Sequence, residues 1–354
     1  MAYTTINKST DYFNTKLYTG NGGTNAITGV GFAPDLTWIK VRNATHNHYW
    51  YDKVRGVQEK ISSNNTGAQV DMGTAGLNTF GTDGFTVGND TDQNNNGDTY
   101  ASWNWKAGTT GSGSTSGSGT YKAYSYSVNT TAGFSIVKYV GNGTAGHTIP
   151  HHLGATPDTI IVKRLSATNN WSVYHKDSFV SQSDPGVLYL NTNAGKAADV
   201  NVWGNSTVTI NSTVFSLGDY EGTNYNDSDY IAYCFTEKTG YSKFGKYSGN
   251  GSSSSPMFIY TGFKPKFVIV KNTSQTDEWF IHDDKRDGFN DDNEYLFASV
   301  TNVEGTNVNR LSMYSNGFSV PTTDKSHNAN GNNYVYIAFG QTLVGSNNIP
   351  CTAR

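Results

Sequence analysis

The sequence predicts an all-β protein built from three tandem antiparallel β-sandwich repeats of jelly-roll or lectin-like type. Three observations predict it: a composition rich in turn and strand formers, a segment pattern that recurs three times, and a strand of period two closing each copy. Aromatic residues make up 13% of the 354 residues, while hydrophobic residues reach only 35% and charged residues 15%. Much of the polar remainder is therefore uncharged Asn, Thr, Ser and Gly. Gly, Asn and Asp suit tight turns, and Thr, Tyr, Val, Ile, Phe and Trp suit a half-buried pleated surface.

The recurrence begins at a Gly-Asn-Gly triplet two residues after a tyrosine: Gly20-Asn21-Gly22 after Tyr18, Gly141-Asn142-Gly143 after Tyr139, and Gly249-Asn250-Gly251 after Tyr247. Between predicted strands these triplets read as tight turns rather than phosphate cradles, which would open a helix. Downstream, Pro34, Pro157 and Pro265 are each followed six residues later by a lysine ending an apolar run: Lys40, Lys163 and Lys271. Those runs, Leu36 to Val41, Thr159 to Lys163 and Phe267 to Lys271, are apolar almost throughout, as expected of central strands covered on both faces. Eight residues on stand His48, Trp171 and Trp279, and four beyond them Asp52, His175 and Asp283.

The closing strands, Tyr100 to Trp105, Tyr230 to Phe235 and Tyr334 to Phe339, alternate. Their predicted buried face carries Ala101, Trp103 and Trp105; Ile231, Tyr233 and Phe235; and Val335, Ile337 and Phe339. The units are placed at residues 1–107, 121–238 and 239–354, separated by the Gly/Ser/Thr run 108–120, which is expected to be a flexible linker. The units are expected to form a compact or beaded rod.

Charge and cysteine content exclude several roles. A formal net charge of -3 with scattered Lys and Arg offers no basic field for nucleic acid. Cys234 and Cys351 are too few for a disulfide framework or thiolate metal site. The opening residues Met1 to Thr10 show no signal peptide, and no stretch is long and apolar enough for membrane insertion, so synthesis in a host cytoplasm is expected.

Candidate sites are sparse. Asp90, Asp92, Asn94, Asn96 and Asp98 form an oxygen-rich stretch, but Gly97 is misplaced and Ala101 stands where an EF-hand needs a glutamate. Asp90, Asp92 and Asp98 remain weak calcium candidates, alongside Asn226, Asp227, Asp229 and the acidic run Asp283 to Glu294. Otherwise no cofactor and no catalytic residue is expected, and binding residues are unassigned. His147, His151 and His152 have the chemistry of metal ligands but no partner cluster, and read as turn histidines. Asp52 with Arg55 and Asp283 with Arg286 suggest a sugar or ion contact, or, the preferred reading, a loop ion pair or turn anchor, since exposed pairs are common. No serine nucleophile elbow occurs in a rigid frame.

Several stretches resemble a repeat family of unknown biochemical function in the virion proteins of marine bacteriophages, including cyanophages and pelagiphages: MAYTTINKSTDYFNTKLYTGNG, GVGFAPDLTWIKVRN, YASWNWKAGT, NDSDYIAYCF, GYSKFGKYSGNG and NNIPCTAR. The resemblance spans the chain. It implies a non-enzymatic virion surface protein, tail-fibre-like or a host-recognition appendage. Its expected partners are other virion proteins, a host surface glycan or protein, and further copies of the chain as a homo-oligomer. Capsid decoration or a head fibre is the alternative, and a tail-associated polysaccharide-degrading enzyme a third. The second unit departs from the pattern at His152-Leu153-Gly154 and at His175, so a site using those positions is not shared by all three.

Overall fold

The computed structural model describes residues 4–179, 181, 185–205, 207–286, 294–306, 308–342 and 344. Cys351, the NNIPCTAR terminus and much of the acidic run from Asp283 to Glu294 lie outside the described residues.

The first unit contains β1 (Phe13–Thr19), β2 (Asn25–Thr28), β3 (Leu36–Val41), β4 (Tyr49–Asp52), β5 (Gly56–Ile61), β6 (Val70–Asp71), β7 (Leu77–Gly81), β8 (Gly84–Val87), the one-turn helix α1 (Thr91–Asn94) and β9 (Thr99–Trp105). The second contains β10 (Thr109–Ser114), β11 (Ser116–Gly117), β12 (Ala123–Asn129), β13 (Phe134–Val140), β14 (His147–Pro150), β15 (Thr159–Arg164), β16 (Ser172–His175), β17 (Leu188–Tyr189), β18 (Val214–Leu217), α2 (Glu221–Asn224) and β19 (Asp229–Phe235). The third contains β20 (Ser242–Ser248), β21 (Met257–Tyr260), β22 (Phe263–Asn272), β23 (Trp279–Asp283), β24 (Leu296–Phe297), β25 (Ser312–Tyr314), β26 (Gly317–Val320) and β27 (Asn333–Thr342).

Each unit folds into a large antiparallel sheet and a three-stranded sheet. The large sheets run β1-β9-β3-β4-β5-β6, β10-β12-β13-β19-β15-β16-β17 and β20-β27-β22-β23-β24. The small ones run β2-β8-β7, β11-β14-β18 and β21-β26-β25. As the apolar runs predict, β3, β15 and β22 are interior strands, and the first two are buried at every position.

The closing strands settle how the units meet. Trp103, Trp105, Tyr233, Phe235, Ile337 and Phe339 belong to one apolar cluster that also holds Trp38, Trp50, Trp171 and Trp279, so the three large sheets share one central core. Their opposite faces are buried too, each against its own small sheet: Tyr100, Tyr230 and Tyr334 lie in three separate outer clusters. The expectation of one buried face per closing strand is therefore incomplete, because each large sheet is the middle layer between a private core and a shared one.

Hydrogen bonds close these layers into a ring instead of a beaded rod. Gln69 N–H donates to Leu165 O, Lys196 N–H to Thr273 O and Glu304 N–H to Arg42 O, linking first to second, second to third and third to first. The Gly/Ser/Thr run is likewise not a flexible linker: Thr109–Ser114 pairs along its length with β12, Thr109 opposite Val128 and Ser114 opposite Ala123. Its glycines explain this. A Cβ on Gly111 would come within 2.6 Å of the Tyr126 hydroxyl and one on Gly113 within 2.9 Å of the Tyr124 hydroxyl, so both rings lie over bare backbone.

A candidate binding notch

The Gly-Asn-Gly turns are braced by an asparagine six residues before the first tyrosine of each closing strand: Asn94, Asn224 and Asn328. The side-chain oxygen of each accepts the N–H of Asn21, Asn142 or Asn250, at 3.0, 2.9 and 2.9 Å. The Tyr100, Tyr230 and Tyr334 hydroxyls accept the N–H of Asn95, Tyr225 and Ala329. Each ring also stacks on Tyr18, Tyr139 or Tyr247, with centroids 5.0, 5.2 and 4.9 Å apart. The spacing of these asparagines from the tyrosines was the signal available in the sequence for a structural assignment.

That network disperses the calcium candidates. Asp90 caps α1 by accepting the Asp92 N–H. Asp92 approaches His46 Nδ1 at 2.6 Å and accepts from Asn47 at 2.9 Å. Burial works against its charge, yet hydrogen bonds from Asn47, Tyr49 and His46 hold its carboxyl below the ordinary value. Asp98 accepts from Asn95 and Asn43. Asn94 points into the turn, while Asp227 binds Lys122. Among the described residues no group of three or more His, Cys, Asp or Glu is placed to hold a metal ion.

The histidines are also separately engaged. His147 lies 2.9 Å from Asn224 Oδ1 and 2.7 Å from Thr115 Oγ1. His151 contacts Asn211 O, and burial pushes it down to about 4. His152 stacks on Tyr126 with centroids 3.7 Å apart.

The Asp-Arg pairs do anchor turns, Asp52 accepting the Val54 and Arg55 N–H groups and Asp283 those of Lys285 and Arg286, but they are not exposed. Asp52 and Arg55, and Asp283 and Arg286, pair at 2.5 Å with all four side chains inaccessible to solvent. Each aspartate also accepts a bond from the next unit in the ring: Tyr233 Oη to Asp52 at 2.7 Å and Trp103 Nε1 to Asp283 at 2.9 Å. The three lysines are buried at matching seams. Lys40 Nζ donates to Thr301 O, Lys163 Nζ to Thr66 O and Lys271 Nζ to Asn193 O, each crossing into a neighbouring unit.

A carboxylate pair of the kind hydrolysis needs occurs at Glu294 and Glu304, but both bind the same Arg42 NH2, at 2.7 and 2.8 Å. Burial and the neighbouring Glu304 raise the Glu294 carboxyl to about 7. Two carboxylates clamped on one guanidinium do not flank a glycosidic bond.

With the threefold-recurrent residues assigned to the scaffold, the exceptions stand out. On the outward face of the equivalent small-sheet strands, β2 of the first unit carries Ala26 and Thr28 and β14 of the second Thr148 and Pro150, whereas β21 of the third carries Phe258 and Tyr260; β2 and β21 are edge strands, while β14 is covered by β11. These two rings are 48% and 57% exposed, and Tyr314, 40% exposed, stands 6.0 Å from Phe258. Phe258 and Tyr260 border a notch of about 620 Å³ between the second and third units, whose walls include Lys176, Glu237, Lys243 and Lys246. Lys176 Nζ bridges Asp158 and Glu237 at 2.8 and 3.1 Å, and Lys243 Nζ sits 5.9 Å over the Tyr260 ring. Sequence reasoning left Phe258 and Tyr260 unassigned, because the mismatch with the other copies is visible only once the strands are in register.

No helix among the described residues is long and apolar enough to cross a membrane. No curated protein and no solved structure matches the chain. A family match does cover residues 8–342, nearly all of the sequence, and the chain belongs to that family, the domain of unknown function DUF7483.

Proposed function

We propose that this chain is a non-enzymatic surface protein of a bacteriophage virion, serving as a tail-fibre-like host-recognition appendage that contacts a glycan or protein of the host surface. The observation that carries this reading is the exposed Phe258 and Tyr260 pair, found beside one of three equivalent seams in an otherwise closely repeated scaffold. Exposed rings beside lysines and carboxylates supply stacking faces and hydrogen-bonding groups for a ligand at the particle surface. The resemblance to virion proteins of marine phages supports the location.

A second reading, capsid decoration, is favoured by the ring of three similar units, since a body with approximate threefold shape matches a threefold position on a shell. Cryo-electron microscopy of intact virions with copy-number measurement separates the two. A few copies at the tail tip support host recognition, hundreds of copies over the shell support decoration, and absence from the particle refutes both.

A further inference from the structure

We infer that the notch beside β20 captures an extended polypeptide strand of a partner, about seven residues long with aromatic side chains at alternate positions, by adding it to the open edge of the third unit's sheet. This rests on the surface-protein reading and names the class of ligand for its contact site.

The protein carries its own template for the complex. In the second unit β13, the counterpart of β20, lies between β19 and β12, with β12 paired to it from Tyr124 opposite Tyr139 to Asn129 opposite Phe134. In the third unit β20 pairs with β27 and, among the described residues, has no strand on its other side.

The surroundings correspond. In the filled seam, between the first and second units, Ser127 Oγ of β12 accepts the Gly108 N–H at 3.0 Å and lies 3.5 Å from Asp35, while Asn129 Nδ2 reaches Ala107 O. The matching positions in the open seam are Asp158 for Asp35 and Glu237 for Ala107, both bound by Lys176 much as Lys53 approaches Asp35 at 3.7 Å, and among the described residues no strand fills the space along β20.

The aromatic residues fit the same scheme. In the filled seam His152 forms a shelf on which the alternate residues Tyr126 and Tyr124 of β12 stack, with centroids 3.7 and 5.6 Å away. His152 lies two residues past β14; in the open seam the aromatic faces come from β21, the counterpart of β14, where Phe258 and Tyr260 are largely exposed. An incoming strand with aromatics at every second position therefore meets rings on one side and, on the other, the edge of β20 that no strand covers among the described residues. An edge of this kind is a template for strand addition, and Lys246 on it does not forbid pairing, since Lys138 occupies the same position of β13, which is paired.

The test uses the full chain and a synthetic peptide of residues 121–130, YKAYSYSVNT, as probe. Saturating peptide is expected to slow amide hydrogen exchange of residues 243–247 at least tenfold. A peptide N-methylated at alternate backbone positions should lose that protection, and a Phe258→Ser/Tyr260→Ser variant should bind the unmodified peptide at least tenfold more weakly. Unchanged exchange in β20 at millimolar peptide, or equal binding of the N-methylated peptide, overturns strand capture. Host-envelope oligosaccharide binding at the notch without peptide protection also overturns it while leaving the host-contact role standing. Loss of that role would instead show as virion adsorption unaffected by the double substitution.

Discussion

Tyr233 of the second unit donates its hydroxyl to Asp52 of the first, 2.7 Å away, inside an ion pair that Asp52 makes with Arg55. The third unit repeats the arrangement on the first, with Trp103 donating to Asp283 beside Arg286. At the remaining seam all three members change together: His175 replaces the aspartate, Ser178 the arginine and Ile337 the donor. His175 instead lies 3.2 Å from the backbone carbonyl of Tyr336, and burial pushes it down to about 4, so it stays neutral. A carboxylate stands only where a cation and a donor satisfy it, as the cost of burying an unpaired charge requires.

Removing one partner of such a pair leaves the other buried and unpaired. Asp52→Ala is expected to destabilise the protein by about 3–5 kcal/mol, read from the denaturant midpoint. His175→Asp should also destabilise it by at least about 2 kcal/mol, because neither arginine nor donor awaits the new charge. A neutral result for His175→Asp would contradict this account of the seam.

The seam lysines set the pH dependence. Burial lowers Lys163 to about 7 and Lys40 and Lys271 to about 8, against about 10.4 for lysine in an unfolded chain. Between these values the unfolded chain binds protons that the folded protein has released, so stability rises as pH increases from about 7 towards 10. Above about 10 the slope reverses. Burial holds tyrosines such as Tyr139 and Tyr247 well above their ordinary value, so they ionise first in the unfolded chain. Urea midpoints from pH 6 to 11 should pass through a maximum, and Lys163→Met should flatten the rising limb.

The first glycine of each Gly-Asn-Gly turn is a contact point. A Cβ on Gly141 would lie 2.4 Å from Tyr225 O, and one on Gly249 2.2 Å from Ala329 O. Gly141→Ala should therefore cost about 1–3 kcal/mol by forcing backbone apart. Gly23→Ala, whose Cβ would meet only Asn21 Oδ1 at 3.8 Å, should change stability by less than about 0.5 kcal/mol. Thermal melts of the two variants provide the comparison.

Within the second unit, Gly111→Val with Gly113→Val removes the bare backbone on which the Tyr126 and Tyr124 rings rest. Amides of β10 and β12 should then exchange faster while those of β15 and β19, in the middle of the sheet, stay protected. Equal acceleration throughout the sheet would mean that the edge strands are integral to its stability.

Local patterning made much of the fold legible. Period two in the closing strands, continuous apolar runs in β3 and β15, and the triplet turns are properties of neighbouring residues, so the sequence displays them directly. The ring is different. Tyr233 and Asp52 are separated by 181 residues, and nothing near Asp52 tells whether its partner is solvent or another unit. The same limitation turned buried Asp-Arg pairs into expected surface pairs. The Gly/Ser/Thr run was opaque for another reason: its composition suits a coil, and only the tyrosines packed over Gly111 and Gly113 make it an edge strand. Of the notch, the lysines and carboxylates were visible as residue types, but their convergence required the seam.

Differential scanning calorimetry tests the shared core most directly. Three large sheets around one apolar cluster, joined by hydrogen bonds at each seam, should unfold in a single transition whose calorimetric and van't Hoff enthalpies agree. Two or three resolved transitions, or a calorimetric enthalpy well above the van't Hoff value, would show units that melt separately and would contradict the closed ring.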